Sequence, residues 1–296
     1  MFRTKVRMAA VAVAAGTVAL LGAVPEAAAA TVVNCPTDNL QDAIDAATPG
    51  TALQVSGTCT GNFTVDKSLT LAGTTGATLG GGGTGTTLTV TAGVTVSVNR
   101  LTVSGGSASN GGGIFNSGTL SLNRVTVSGN TANFTGGGTG QGGGIHNAPG
   151  ASLSLNQSTV TANTAGVPNS NGLAGFGGGI MNWGTLRLNN STVSLNTGQF
   201  GGGLLLVNSG PATLNGSTVT QNSAPGGQGG GINNDGGILR LNRSTISFNN
   251  ADGGGEGGGI YNRIPVTVNR SPIVNNTVDG VSNNCAGPQP VPGCVN

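Results

Sequence analysis

Histidine, tryptophan and tyrosine each occur once in this 296-residue chain, cysteine occurs four times, and only 7% of the residues carry charge. So few titratable and sulfur side chains leave little material for a metal centre or a catalytic triad, and no HExxH, P-loop or CxxC sequence is present. Aromatic residues amount to 3%, few for stacking on sugar rings. Beyond the N-terminal region no apolar stripe at a spacing of three to four residues occurs, which excludes helical repeats. The one long apolar run, Met8 to Val24, follows Arg3, Lys5 and Arg7 and precedes Ala28-Ala-Ala30. It reads as a secretory signal peptide over residues 1–30, too short for the roughly 20 residues of a membrane helix. Removing it leaves eight Lys and Arg against eight Asp and Glu. That balance offers no overall footprint for nucleic acid or an anionic membrane.

Glycine is what the chain has in excess, at 57 residues, and it is not scattered. The segment Gly111 to Ala132, GGGIFNSGTLSLNRVTVSGNTA, recurs in variant form from Gly142, Gly177, Gly201, Gly229 and Gly257. Self-similarity at this period marks a solenoid. Each copy holds three short pieces alternating apolar and polar residues, read as three strands per coil. Asn closes the second piece in every copy (Asn123, Asn156, Asn189, Asn215, Asn242, Asn269) and recurs seven residues later (Asn130, Asn163, Asn196, Asn222, Asn249, Asn276). Asn tolerates the left-handed backbone of a sharp corner, and stacked Asn amides can hydrogen-bond from coil to coil. A third column, Asn116, Asn147, Asn182, Asn234 and Asn262, is interrupted by Leu206. Alternation sends Ile114, Leu120, Leu122 and Val127, with Ile145, Leu153, Leu155 and Val160 of the next copy, into an aliphatic core. The fold class is therefore all-β, a parallel β-helix over residues 31–296.

Both ends carry caps. Around Pro36 to Ala47, Thr37 or Asp38 is expected to N-cap a short helix, with Gln41 in capping-box position and Leu40, Ala43, Ile44 and Ala47 on one face. This helix belongs to an N-terminal cap, residues 31–50. Cys35 and Cys59 flank the helix and the first strand, and in an exported chain they read as a disulfide. Cys285 and Cys294 bracket AGPQPVPG, whose prolines cannot continue a ladder, within a C-terminal cap at 285–296. The Gly-rich pieces at 80–85, 136–144 and 169–179 are expected to be loops on the rod.

The GGG-Ile-x-Asn and Leu-Asn-x-Ser-Thr-Val-x-x-Asn units resemble the right-handed parallel β-helix repeats of secreted bacterial proteins in the broad pectate-lyase-like group. The Gly-Gly-x-Ile pieces are similar to those of chlamydial polymorphic outer-membrane proteins, although the Phe-x-x-Asn partner motif and a following barrel are missing. The resemblance implies a right-handed β-helix and, for its lyases, acidic residues around calcium with an Arg base. Outside the N-terminal cap and the isolated Asp66, the chain offers only Asp235, Asp252, Glu256 and Asp279 for such chemistry.

Aligned copies place Asp252 and Asp279 at equivalent points on adjacent coils, with Glu256 in the same loop. These three are the candidate calcium ligands; a solvated acidic loop is the alternative. Asp235 and Arg263 align as an ion pair. Arg100, Arg124, Arg243 and Arg270 share a column with Gln157 and Asn190, and His146 is expected on the solvated outer face with Phe115, Met181 and Tyr261. The most regular outer surface is a hydroxyl grid, Thr126 and Ser128, Thr159 and Thr161, Thr192 and Ser194, Thr218 and Thr220, Thr245 and Ser247, which resembles the Thr-x-Thr faces of ice-binding β-helices. Taken together, these features suggest a secreted or cell-surface, monomeric and non-catalytic protein, structural, adhesive or carbohydrate-binding. Its partner would be an extracellular polysaccharide or an envelope component, with no nucleic acid and no membrane span in the mature chain. The competing expectations are a calcium-assisted polysaccharide lyase or hydrolase, and ice binding.

Overall fold

A computed structural model describes residues 30–133, 139–166, 174–207 and 210–296. The signal peptide read over residues 1–30 lies outside the described residues except for Ala30, as do parts of two Gly-rich loops. Within them the chain is a parallel β-helix. Each full coil contributes one strand to each of three sheets. Typically an Ile-x-Asn strand such as Ile114–Asn116 joins a first, a Leu-x-Leu-Asn strand such as Thr119–Asn123 a second, and a Thr-Val-Ser strand such as Thr126–Ser128 a third, with Leu204–Leu206 replacing Ile-x-Asn in the fourth copy. These sheets hold nine, ten and nine described strands. Register is strict: Leu120 pairs with Leu153, Leu153 with Leu186, and Asn123 with Asn156. All eight residues expected in the core are at most 1% exposed.

Three strands per coil is an incomplete description. Ser107–Ala108, Thr131–Ala132, Thr164–Ala165 and Thr197–Gly198 form a fourth, short parallel sheet after the Thr-Val-Ser strand. Each of its last three strands opens on an in-register Thr, and pairing stops where the Gly-rich turn begins.

The corners also differ from expectation. The left-handed backbone falls on neighbours of the ladder Asn, never on the ladder Asn itself. Arg100, Arg124, Gln157, Asn190, Arg243 and Arg270 have φ between 47° and 56° at one corner, and Ala162, Leu195, Gln221, Phe248 and Asn275 between 53° and 57° at the other. A left-handed L residue costs about 1–2 kcal/mol. The turn accepts this at the exposed neighbour because the Asn amide must point inward to meet its copy on the next coil.

That amide stacking is continuous. In the inner column Asn130 Nδ2 donates to Asn163 Oδ1, and the chain of bonds runs through Asn196, Asn222, Asn249 and Asn276 at 2.9–3.0 Å. Asn284, outside the repeat period, receives the last of them at 3.0 Å and donates in turn to Val295 O. Along the second sheet the direction reverses, with Asn123 donating back to Asn99 and Asn269 back to Asn242, both at 2.9 Å. A serine ladder accompanies it: the backbone N–H of Ser158, Ser191 and Ser217 donates to the hydroxyl of Ser191, Ser217 and Ser244 in turn, each at 3.1 Å. The Asn-x-Ser triplets are therefore one corner device, a ladder Asn, a left-handed residue and a buried hydroxyl.

Both caps have the expected cross-links, Cys35–Cys59 and Cys285–Cys294, which point to an oxidising compartment. The helix spans Leu40–Ala46 and buries Leu40 and Ile44. Its N-cap is Asn39, whose Oδ1 accepts from the N–H of Gln41 and Asp42. Asp38 is drawn off to the N–H of Asn34, and Gln41 spans both main-chain groups of Thr64, so neither forms the expected capping box. No described helix is long and apolar enough to cross a membrane.

Candidate functional site

The middle residues of the first-sheet strands form an outward column in which Phe115, His146, Met181, Leu205, Asn233 and Tyr261 stand in register. Alternation places them away from the core, but outward is not solvated here. His146, Met181, Leu205, Asn233 and Tyr261 are all at most 6% exposed. The chain preceding each GGG corner rises beside the column, where Gly140–Gln141 pairs with Gly175–Phe176 and bridges continue through Phe200, Gln228 and Glu256. On the opposite side Trp183, Asp235 and Arg263 follow the strands. His146 is thus a buried residue rather than the solvated one expected, stacked on Phe115 at 5.2 Å between ring centroids.

Between these walls lies a groove of about 290 Å³. Phe176, Met181, Trp183, Phe200, Leu205 and Val207 line its apolar part, and Gln141, Gln228, Asn233, Asp235 and Arg263 its polar margin. Phe176 and Phe200 stack with centroids 5.3 Å apart. As expected, Asp235 pairs with Arg263, at 3.0 Å, and the guanidinium also lies 5.9 Å from the Tyr261 ring centre. Asn233 donates to Gln228 O at 3.3 Å, while its buried Oδ1 has no donor. Composition hid this groove: the only Trp and two of seven Phe line it, with the only Tyr beside it. The signal was the variable middle position of GGG-Ile-x-Asn, carrying large residues where solvent-facing strand positions elsewhere carry Ser and Thr.

His146 gives a pH prediction. Burial pushes its pKa from 6.5 down to about 4, opposed by the nearby Gln141 backbone, and its Nδ1 lacks a hydrogen-bond partner. The unfolded chain therefore takes up this proton first as the solution is acidified. The contribution of about 3 kcal/mol, at 1.36 kcal/mol per pKa unit, is present above pH 6.5 and lost as pH falls to about 4. His146→Phe, which copies Phe115 of the neighbouring coil, should flatten that part of the profile; identical profiles from denaturant melts would contradict it.

The acidic trio is less concentrated than its sequence spacing suggests. Asp252 and Asp279 are stacked, with Asp252 Oδ1 accepting from Asp279 N at 2.8 Å and Asp279 accepting from Gly253 and Gly254 N–H at 2.7 and 3.3 Å. Glu256 instead meets Gln228 at 3.1 Å. Among the described residues no three His, Cys, Asp or Glu side chains stand together to hold a metal ion. The hydroxyl grid is in register, Thr126 with Thr159, Thr192 with Thr218 and Thr218 with Thr245. It is half-buried, and Ser247 is only 6% exposed. Some of its hydroxyls satisfy one another, as Ser194 does with Thr161 at 3.1 Å.

Comparison of the chain with family models, with curated proteins and with solved structures found no match.

Proposed function

We propose that this is an exported, non-catalytic β-helix that binds an extracellular polysaccharide or envelope glycan through the first-sheet groove. One observation carries the reading: the only Trp and two of the seven Phe line one groove, with the only Tyr beside it, and its polar margin holds amides and a charge pair. Apolar ring faces bind the C–H faces of a pyranose, while Gln141, Gln228 and Asn233 offer donors and acceptors to its hydroxyls. Asp235 is the groove's one carboxylate and is tied to Arg263, which favours binding over lyase or hydrolase chemistry. Asp252 and Asp279 already accept backbone N–H groups and Glu256 turns away to Gln228, so the reading assigns calcium no role. The paired cysteines and the N-terminal Arg-rich, apolar segment support export to the surface or medium.

Because Trp183 is the only tryptophan, intrinsic fluorescence reports on this groove alone. A glycan array followed by fluorescence titration with the bound oligosaccharide should show a change in Trp emission. Trp183→Ala should weaken binding about tenfold or more, the loss of one good aromatic contact. A glycan that binds without altering the emission, or binds the variant equally well, would move recognition elsewhere on the rod.

A further inference from the structure

The balanced charge of residues 31–296 conceals a segregation. Seven of the eight basic residues are arginines, and only Arg263 among them has a carboxylate partner within the described residues. The other six, Arg100, Arg124, Arg187, Arg240, Arg243 and Arg270, are exposed and occupy two neighbouring columns. Arg187 and Arg240 lie on the outer face of the second sheet, in register with Thr213 between them. The other four stand at the corner where the second sheet passes to the third, joined coil to coil by backbone bonds such as Arg243 N to Asn269 O. The carboxylates lie elsewhere: Asp38, Asp42, Asp45 and Asp66 near the N-terminal cap, Asp252, Glu256 and Asp279 at a different corner, and Asp235 in the aromatic groove.

We propose that this arginine-lined corner is a second binding surface, separate from the groove, for a linear acidic polysaccharide bearing carboxylate or sulfate groups. It spans six coil steps, about 29 Å at the strand spacing of about 4.8 Å. A trough of about 780 Å³ runs along it between Asn189 and Arg270. The half-buried Asn156, Asn189, Asn215 and Asn242 and the exposed Asn269 each spend one amide N–H on the preceding Asn. Their second N–H finds no acceptor among the described residues. The corner thus repeats neutral donors at coil spacing beside guanidinium forks that match oxyanions in bidentate fashion. Left-handed backbone at Arg243 and Arg270, φ 50° and 47°, anchors these two arginines on a rigid turn, which lowers the ordering cost of binding. Nucleic acid fits less well, because single strands are held by stacking on aromatic side chains and the two columns contain only Arg, Asn, Gln, Ser, Thr and Gly at these coils.

The test uses the full chain on immobilised alginate, dextran sulfate, neutral dextran and single-stranded DNA. Binding is expected to alginate, dextran sulfate or both, the pair telling carboxylate from sulfate. It should fall steeply as salt rises from about 0.1 M toward 1 M, where the screening length drops from ~10 to ~3 Å. Arg243→Gln with Arg270→Gln should weaken it about tenfold without moving the melting temperature, since Gln157 already occupies the same left-handed position. Arg187→Thr with Arg240→Thr, copying Thr213, should weaken it further. Equal retention of the quadruple variant, equal binding to dextran, or tighter binding to DNA than to either acidic polysaccharide would overturn the assignment.

Discussion

Asn196→Ala is expected to destabilise the rod by about 3 kcal/mol, and Asn189→Ala, seven residues away in the same coil, by about 1 kcal/mol or less. Both belong to Asn ladders, yet they differ in what water can repair. Asn196 is fully buried. Its Oδ1 accepts from both the backbone N–H and the Nδ2 of Asn163, and its Nδ2 donates to Val160 O and Asn222 Oδ1. Alanine removes all four bonds and leaves the Asn163 N–H without an acceptor in a dry interior. Asn189 is half-buried and joins only Asn156 and Asn215 through its side chain, and water at the corner can replace either. Chemical denaturation of the two variants side by side decides the matter; equal losses would mean that the inner ladder is hydrated.

Leu206 shows why one ladder can be broken and another cannot. Where it interrupts the first-sheet column, Asn182 Nδ2 turns to Gly184 O at 2.9 Å, and Asn234 Oδ1 accepts from Gly237 N at 3.1 Å. Local backbone stands in for the missing amide. In the inner column each Oδ1 also receives a main-chain N–H of the preceding coil, so a substitution removes a backbone partner with no alternative nearby. From Asn130 to Asn276 every copy keeps its Asn.

Period and alternation were enough to read the coil, its core residues and its ladders, because these depend on contacts between identical positions of successive copies. What escaped depends on neighbours that are not copies. His146 was misplaced because alternation tells only which side of a strand a residue faces, not whether another segment covers that side. Asn284 closes the inner ladder eight residues after Asn276, a spacing that no repeat contains. The groove was only faintly marked for the same reason. Its aromatic residues come from two columns whose occupants change from coil to coil, and only the fold sets Phe176 and Phe200 opposite Trp183. Charge segregation, by contrast, was partly legible in the Arg100, Arg124, Arg243 and Arg270 column, and only the distribution of carboxylates around the coil turned that column into a surface.

Gly178→Ala is expected to destabilise by more than about 3 kcal/mol or to prevent folding, whereas Gly129→Ala should change stability by about 1 kcal/mol or less. Only the first reflects the reason for the GGG signature. A Cβ on Gly178 would be driven into the Thr197 carbonyl and would stand 2.5 Å from Gly202 O. Relief by sliding is blocked, since Gly178 N already donates to Gly201 O and its carbonyl accepts from Gly144 N, both at 3.1 Å. The same crowding recurs at Gly143, Gly202, Gly230 and Gly258, each facing backbone oxygens of adjacent turns. Gly129 has the left-handed φ of 63° with nothing near its absent Cβ, and Ala162, Leu195 and Phe248 fill that position in other coils. Glycine there is a convenience of the turn; at Gly178 it is a condition of backbones stacking without side chains between them. Thermal melts of the two variants should separate widely. If Gly178→Ala melted within a degree or two of wild type, the GGG corner would have slack between its coils, and its recurrence in six copies would need another cause.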